Sequence, residues 1–334
     1  MDNSCFYYGT HTANGVRSGF VAPENIYSVS GGSAELKEKI FLTASAELDE
    51  KNIYNEIIFS FDGCFGIICP DEEILIADGD LLEEKEIEKS KLNLDLDDLF
   101  ETKFPRELLH IYRNERNKMS ERCHRFLAAA ESVKSDMMRI DRSSVNMSDI
   151  ISYTSKLWKK SGGKMKGSVG TETKRFVSCI TPEGVELNLK AFDSCERLAV
   201  IVDKTGAAST LVVDRLRRYA LSSGYDVVSC ICSLNGETVE HIIIPELSFG
   251  VFSSEHYHRI LPKKERRTFA ARFHTKDAEL TKNRIAFSLK AYRSLMNEAF
   301  DSLIDMQAEE RKINCIFGGI TDVTDAAYEI ISRI

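Results

Sequence analysis

A short stretch of small and hydroxyl-bearing residues has the composition and position of a phosphate-binding loop. An apolar run rich in β-branched residues, 198–202, precedes it and predicts a buried strand. Apolar positions at helical spacing follow it, and Gly224 is a natural stop for that helix. In a strand–loop–helix unit, backbone N–H groups at the helix start can hold phosphate oxygens. The candidate nucleotide loop therefore comprises Lys204, Thr205, Gly206, Ala207, Ala208, Ser209 and Thr210.

This loop lacks the lysine of a working phosphate loop. The functional pattern is G-x-x-x-x-G-K-[ST], in which the lysine contacts the β- and γ-phosphates and the hydroxyl binds Mg²⁺. Ala208 stands directly before Ser209, at the lysine position. Lys204 has a flexible side chain that could substitute for it, and its alternative role is a solvated loop lysine. For Ser209 we expect a helix N-cap, which needs no nucleotide.

Two halves of the chain share motifs, which indicates a tandem duplication. Residues 7–16 resemble 176–185, residues 66–71 resemble 241–246, and each half ends with a long amphipathic helix. We place the first domain at 1–158 and the second at 175–334. Residues 159–174 are rich in Gly, Ser and Lys and predict a flexible linker, whose lysines could instead contact an acidic partner.

The first half retains a different part of a phosphate site. Residues 25–40, which include Gly31 and Gly32, run from strand to helix with almost no loop. The second half is longer between its shared motifs, and we expect much of that extra length in its loop. Asp78 ends a predicted strand and suits either a metal-supporting acid or a turn residue. Its counterpart is Ser253, so neither half holds a complete catalytic set, although Lys37 offers a substitute lysine.

Composition narrows the class of protein. The 334 residues carry a net charge of −8, which argues against a nucleic-acid or anionic-membrane binder. No apolar run is long enough to span a membrane, and the first residues lack signal-peptide features, so we expect a cytoplasmic protein. The nine scattered cysteines indicate reduced thiols. The acidic segment 80–98 and the basic segment 263–274 are either solvated surface or contact a partner or each other.

The motifs together resemble the tandem P-loop ATPase-like proteins of Firmicutes. That resemblance implies an α/β fold with two tandem P-loop NTPase-like, three-layer α/β/α domains and mainly parallel sheets. The family pattern Gly-x-Pro-Gly-Thr-Gly-Lys-Ser-Thr places Val202, Thr205 and Ala207 at glycine positions and Ala208 at the lysine. The chain therefore resembles a divergent member with degenerate loops.

Three hypotheses of function follow. The first is a non-hydrolysing pseudo-NTPase that binds or scaffolds an unknown protein partner or a small nucleotide. The second is an ATPase that binds ATP with Mg²⁺ through displaced residues, namely Lys204, Ser209 and Asp78. The third is a metal-dependent enzyme that uses histidines and cysteines, although His256 and His258 beside Glu255 are more typical of a surface.

Overall fold

The computed structural model describes residues 5–18, 23, 25–61, 63–82, 84–258 and 266–334. The first half contains β1 (Gly9–Thr12), β2 (Gly15–Ser18), β3 (Asn25–Ser30), α1 (Ala34–Glu50), β4 (Glu56–Ser60), β5 (Gly63–Cys69), β6 (Ile74–Asp78), α2 (Glu84–Ile87), β7 (Ser90–Asp95), α3 (Leu96–Leu99), α4 (Arg106–Arg142) and α5 (Met147–Ser161). The second half contains β8 (Glu172–Arg175), β9 (Ser178–Thr181), β10 (Gly184–Leu187), β11 (Arg197–Val202), α6 (Ala207–Ser222), β12 (Val227–Ile231), β13 (Val239–Ile244), β14 (Phe249–Ser254), β15 (Arg266–Phe269), α7 (Ala278–Phe317) and α8 (Thr324–Ile331). The predicted α/β class is confirmed.

Each half is built on one mixed sheet. The first sheet has the order β4-β5-β6-β3-β7, and the second has β15-β11-β14-β13-β12-β8. In both, the strand that precedes the loop lies between two parallel neighbours, β6 and β7 in the first half and β14 and β15 in the second. Next to them, each sheet continues as an antiparallel meander, formed by β4, β5 and β6 in the first half and by β12, β13 and β14 in the second. The carboxyl ends of the parallel strands, where ligands of such sheets bind, therefore adjoin each loop.

Helices cover one face of each sheet. α1 buries its apolar stripe, including Ile40 and Phe41, against the first sheet. α6 buries Val212, Val213 and Leu216 against the second sheet. It ends at Ser222, and Gly224 follows with a φ of +87°, a conformation that favours glycine. The other face of the second sheet packs against a 3₁₀ turn, Leu189–Phe192, and against Phe6.

The two longest helices join the halves. α4 and α7 pack along each other as an antiparallel pair, with Arg116 opposite Glu310 near one end and Asp136 opposite Arg284 near the other. The hairpins β1–β2 and β9–β10 pack against this pair and share its apolar core. No helix in the described part of the chain is long and apolar enough to cross a membrane.

The shorter C-terminal helix of each half packs on the opposite half. α5 lies against α6, with Ile150 fully buried in the second core. α8 lies against α1, with Ile330 fully buried in the first core. The packing therefore does not divide along the predicted boundary between 1–158 and 175–334.

The predicted linker, 159–174, lies against the second half instead of standing free. Its first residues complete α5, and its last residues belong to β8. Between them the Lys166 amide donates to the Ser223 carbonyl at 3.0 Å, and the Gly170 amide donates to the Leu221 carbonyl at 2.8 Å. Composition did not reveal this because the carbonyl acceptors belong to the end of α6, about 50 residues away.

The expected extra loop length is wrong. Residues 31–33 join β3 to α1, and residues 203–206 join β11 to α6, so the two loops are nearly equal in length. The additional residues lie instead between β12 and β13, at 232–238, where the first half has only residues 61 and 62 between β4 and β5. A surface turn tolerates insertion, whereas the strand-to-helix connection is fixed by packing on both sides.

Candidate functional site

The second-half loop holds a carboxylate at the start of its helix. β11 leads into Asp203, and Gly206, with a φ of +81°, is the N-cap of α6. The Asp203 side chain accepts hydrogen bonds from the backbone N–H of Thr205 at 3.1 Å, Ala208 at 2.9 Å and Ser209 at 2.8 Å. Asp203 is 2% exposed. Its carboxylate therefore occupies the position in which a phosphate loop would hold an anion.

The end of α4 closes over this loop. The Thr205 hydroxyl lies 2.5 Å from an Asp141 oxygen and 3.1 Å from an Asp203 oxygen, and its single proton is donated to one of them. The other Asp141 oxygen lies 3.1 Å from Nε2 of His274. A second buried carboxylate thus lies beside Asp203. Sequence reasoning missed it because Asp141 belongs to the first half.

The hydroxyl that would bind Mg²⁺ is already paired. Ser209 is the third residue of α6 and not its N-cap, so that prediction is wrong; the loop ends one turn earlier, at Gly206. The Ser209 hydroxyl accepts from the Ser253 hydroxyl at 2.8 Å, and both residues are buried. Thr210 donates to the Gly206 carbonyl at 2.7 Å and accepts from Arg142 at 3.1 Å.

Lys204 is exposed to solvent and does not line the adjoining cavity. That cavity, the second-half cleft, has a volume of about 520 Å³. It is lined by Gly206 and Thr210 and by charged side chains that include Lys134, Glu240 and Glu255. Its buried lysine is Lys134 of α4, whose Nζ lies 3.0 Å from Glu240 and 3.1 Å from Glu255. Burial lowers the pKa of Lys134, but the neighbouring acidic groups outweigh it and hold the pKa well above its usual value. The only indication in the sequence that Lys134 is buried was its position four residues after the core residue Ala130.

The first-half loop is filled in a similar way. Gly31 and Gly32 have φ values of +71° and +61°, and they form a turn that leads into Ser33, the N-cap of α1. The Gly32 amide donates to a carboxylate oxygen of Asp97 at 2.8 Å. The Ala34 amide donates to Glu310 of α7 at 3.0 Å. Carboxylates from elsewhere in the chain therefore satisfy the start of α1 as well.

Lys37 and Asp78 come together in the first-half cleft. Lys37 Nζ lies 2.6 Å from Asp78 and 2.5 Å from Asp80, beside a cavity of about 400 Å³. Burial lowers the pKa of Lys37, but the two carboxylates outweigh burial and raise it. Burial raises the pKa of Asp78, although Lys37 opposes that shift. Asp78 also accepts the Asp80 amide at 2.9 Å, which is the turn role that the sequence offered as an alternative.

The predicted surface position of His258 is wrong, because it is buried beside Glu240 and His241. Their ligand atoms lie within 4.8 Å of one another, as a metal site would require. However, Nδ1 of His241 accepts the Ser253 amide at 3.0 Å, and burial lowers the pKa of His241 to about 3. The neutral ring therefore carries its proton on Nε2 and cannot bind a metal through that atom. With Lys134 also contacting Glu240, this cluster favours ion pairing over metal binding.

Three further predicted features are the cysteines and the two charged segments. None of the nine cysteines forms a disulfide, and they are spread over both halves. Residues 263–265 of the basic segment lie outside the described part, whereas Arg272 and His274 are described. Within the acidic segment, Asp80 contacts Lys37 and Asp97 contacts Arg113, so these carboxylates pair within the first half.

Comparisons with protein-family models, curated proteins and solved structures found no match to this chain.

Proposed function

We propose that this protein is a P-loop NTPase-like protein that acts by binding or scaffolding and does not hydrolyse nucleotides. The observation that carries the proposal is the Asp203 carboxylate, which accepts three backbone N–H groups at the start of α6. A nucleotide phosphate needs those same donors. The loop is therefore stable with an internal anion in place of a nucleotide.

Charge supports this proposal. A phosphate approaching α6 would face both Asp203 and Asp141, which are buried and joined through Thr205. Like charges about 4 Å apart repel by roughly 4 kcal/mol at the effective dielectric of a protein. Displacing Asp203 would also leave it without the donors that satisfy it. A bound nucleotide would have to offset both costs.

The residues that would have to hold Mg²⁺ support the proposal as well. Phosphoryl transfer depends on Mg²⁺ held by a loop hydroxyl and a strand-end acid. In the second half the Ser209 hydroxyl pairs with Ser253. In the first half the strand-end acid Asp78 pairs with the ammonium of Lys37. The residues of the alternative ATPase hypothesis do not meet, because Lys204 lies in solvent and Asp78 lies in the cleft of the other half.

The packing of the two halves on each other is compatible with a scaffolding role. The antiparallel pair of α4 and α7 ties the two clefts into one body, and Glu310 and Asp141 reach from those helices into the loops. We retain the resemblance to the tandem P-loop ATPase-like proteins of Firmicutes as part of this proposal. In that view the halves keep the strand–loop–helix frame, while their own side chains occupy the ligand positions.

Thermal unfolding with and without nucleotides tests the proposal. We expect Mg-ATP and Mg-GTP to leave the melting temperature unchanged and no phosphate to be released. A ligand at about one hundred times its Kd would add roughly 2.7 kcal/mol, which a melt would show. A shift that Lys204→Ala abolishes would contradict the proposal and favour the ATPase.

The Asp203→Ala variant provides a second test, in which we expect an added anion to bind. Removing the carboxylate leaves three buried donors without a partner, each costing roughly 1–3 kcal/mol. Inorganic phosphate should then restore part of the lost melting temperature by entering the vacated loop. Asp193→Ala, at an exposed position outside the loop, is the matched control and should respond to neither change. Failure of phosphate to stabilise Asp203→Ala selectively would mean that the loop is not an anion cradle.

A further inference from the structure

A third cavity lies between α5 and the β15 edge of the second sheet. It has a volume of about 240 Å³ and shares no lining residue with either cleft cavity. Its polar lining comes from Tyr153, Lys156, Lys160, Thr268 and Arg272. None of the described residues that line it is acidic. The cavity therefore concentrates positive charge in a chain whose net charge is −8.

Three basic side chains, two from α5 and one from the turn after β15, line this cavity, which we call the recess. Lys156 and Lys160 are four residues apart in α5, so they lie on the same helix face. Arg272 belongs to the 3₁₀ turn Ala270–Phe273 that follows β15. Its guanidinium lies 5.2 Å from the ring centre of Tyr153 and 5.4 Å from that of Phe273. Aromatic faces thus position a guanidinium that keeps donors available for a ligand.

Lys156, Lys160 and Arg272 are exposed at the mouth of the recess, and they differ in their partners from the buried and half-buried cations of the protein. Lys37, Lys134 and Arg113 each contact a carboxylate. Among the described residues, no ion pair joins Lys156, Lys160 or Arg272 to an acidic side chain. Tyr153 and Thr268 add hydroxyl groups, joined to each other at 3.0 Å. Within the described part of the chain, the recess thus has the donors of an anion site and no acidic side chain, in contrast to both loops.

We propose that this recess binds a small phosphate-bearing ligand. A phosphate group presents several acceptor oxygens, which suits two ammonium groups and a planar guanidinium. The recess has room for a phosphate or diphosphate group and little more. An extended nucleic acid would require a longer basic surface and is disfavoured by the net charge of −8. The site is separate from both loops and does not depend on the proposed function.

Isothermal titration calorimetry with inorganic pyrophosphate, at constant ionic strength and without Mg²⁺, tests this site. We expect saturable binding at one site per chain. Lys156→Gln and Arg272→Gln should each weaken the affinity at least about tenfold, since each removes one charge-assisted contact. Phenyl phosphate in a second titration separates a phosphate ester, which would also contact Tyr153, from a free inorganic ion.

Lys159→Gln is the matched control, because Lys159 is exposed on the same helix but does not line the cavity. It should bind pyrophosphate as the unchanged protein does. Equal weakening by all three substitutions would indicate nonspecific charge attraction and overturn the inference. Absence of saturable binding, or binding that ignores Lys156 and Arg272, would also overturn it. None of these outcomes bears on whether nucleotides are hydrolysed.

Discussion

Two buried histidines of one cluster shift in opposite directions, because their partners differ. Burial lowers the pKa of His241 to about 3, since the ring packs against Phe252 and carries no ion pair that outweighs burial. His258 is also buried, but Glu240, 3.2 Å away, and Glu255 outweigh burial and raise its pKa. His258 and Lys134 then balance the charges of Glu240 and Glu255 within a small volume.

We predict that His258 stabilises the protein most at low pH. Its folded pKa is raised, so its contribution is fully present below the unfolded value of about 6.5 and is lost as pH rises through the folded pKa. His258→Gln should therefore cost roughly 1.5–3 kcal/mol at about pH 6 and progressively less in alkaline buffer. Urea unfolding across that range measures the difference. A constant difference, or one that matches His110→Gln at an exposed site on α4, would show that His258 is uncharged.

Lys37 provides a second prediction at this scale. Lys37→Met should cost about 3–5 kcal/mol of unfolding free energy, because it leaves the buried Asp78 without its cation and removes the partner of Asp80. Adding Asp78→Asn should recover part of that loss by removing one of the unpaired charges. Lys39→Met, at an exposed position of the same helix, should have little effect. If the double variant were no more stable than Lys37→Met, the loss would come from packing and not from charge.

At the scale of elements, the sequence predicted the strand–loop–helix units well and their neighbours poorly. The apolar run at 198–202 and the stop at Gly224 mark β11 and α6 closely, because these signals are local. Asp203 satisfies the second loop from within it, but Asp141 and Glu310, which also contact the loops, lie far away in the chain, and no local pattern indicates them. The burial of His258 was missed for the same reason, since its partner Glu240 lies on β13.

The segment between α5 and β8 gives a test at this scale. A Cβ on Gly170 would lie 2.0 Å from the backbone oxygen of Tyr225, so the two backbones would have to separate. We expect Gly170→Ala to cost about 1–3 kcal/mol of unfolding free energy, measured by urea unfolding. Gly319→Ala, where a Cβ meets no atom within 4 Å, is the matched control. A neutral Gly170→Ala would mean that residues 159–174 behave as the flexible linker that composition predicts.

At the scale of the whole molecule, the two halves exchange helices. α5 follows the first sheet in sequence and buries Ile150 in the second core, while α8 follows the second sheet and buries Ile330 in the first. Periodicity predicts that such helices bury a face but does not say against which half. Each core is therefore completed by residues from the other half, and the two loops are joined through packing as well as through α4 and α7.

This exchange predicts that a cavity in one half weakens the other. Ile330→Ala and Ile150→Ala each remove a fully buried side chain and should cost about 2–5 kcal/mol. Native-state hydrogen exchange locates the loss, because local opening follows the weakened packing. We expect Ile330→Ala to speed exchange most in α1, and Ile150→Ala to speed it most in α6. The two variants control for each other, since they make the same chemical change at sites of equal burial. If each substitution instead weakened the half that contains it in sequence, 1–158 and 175–334 would be independent domains.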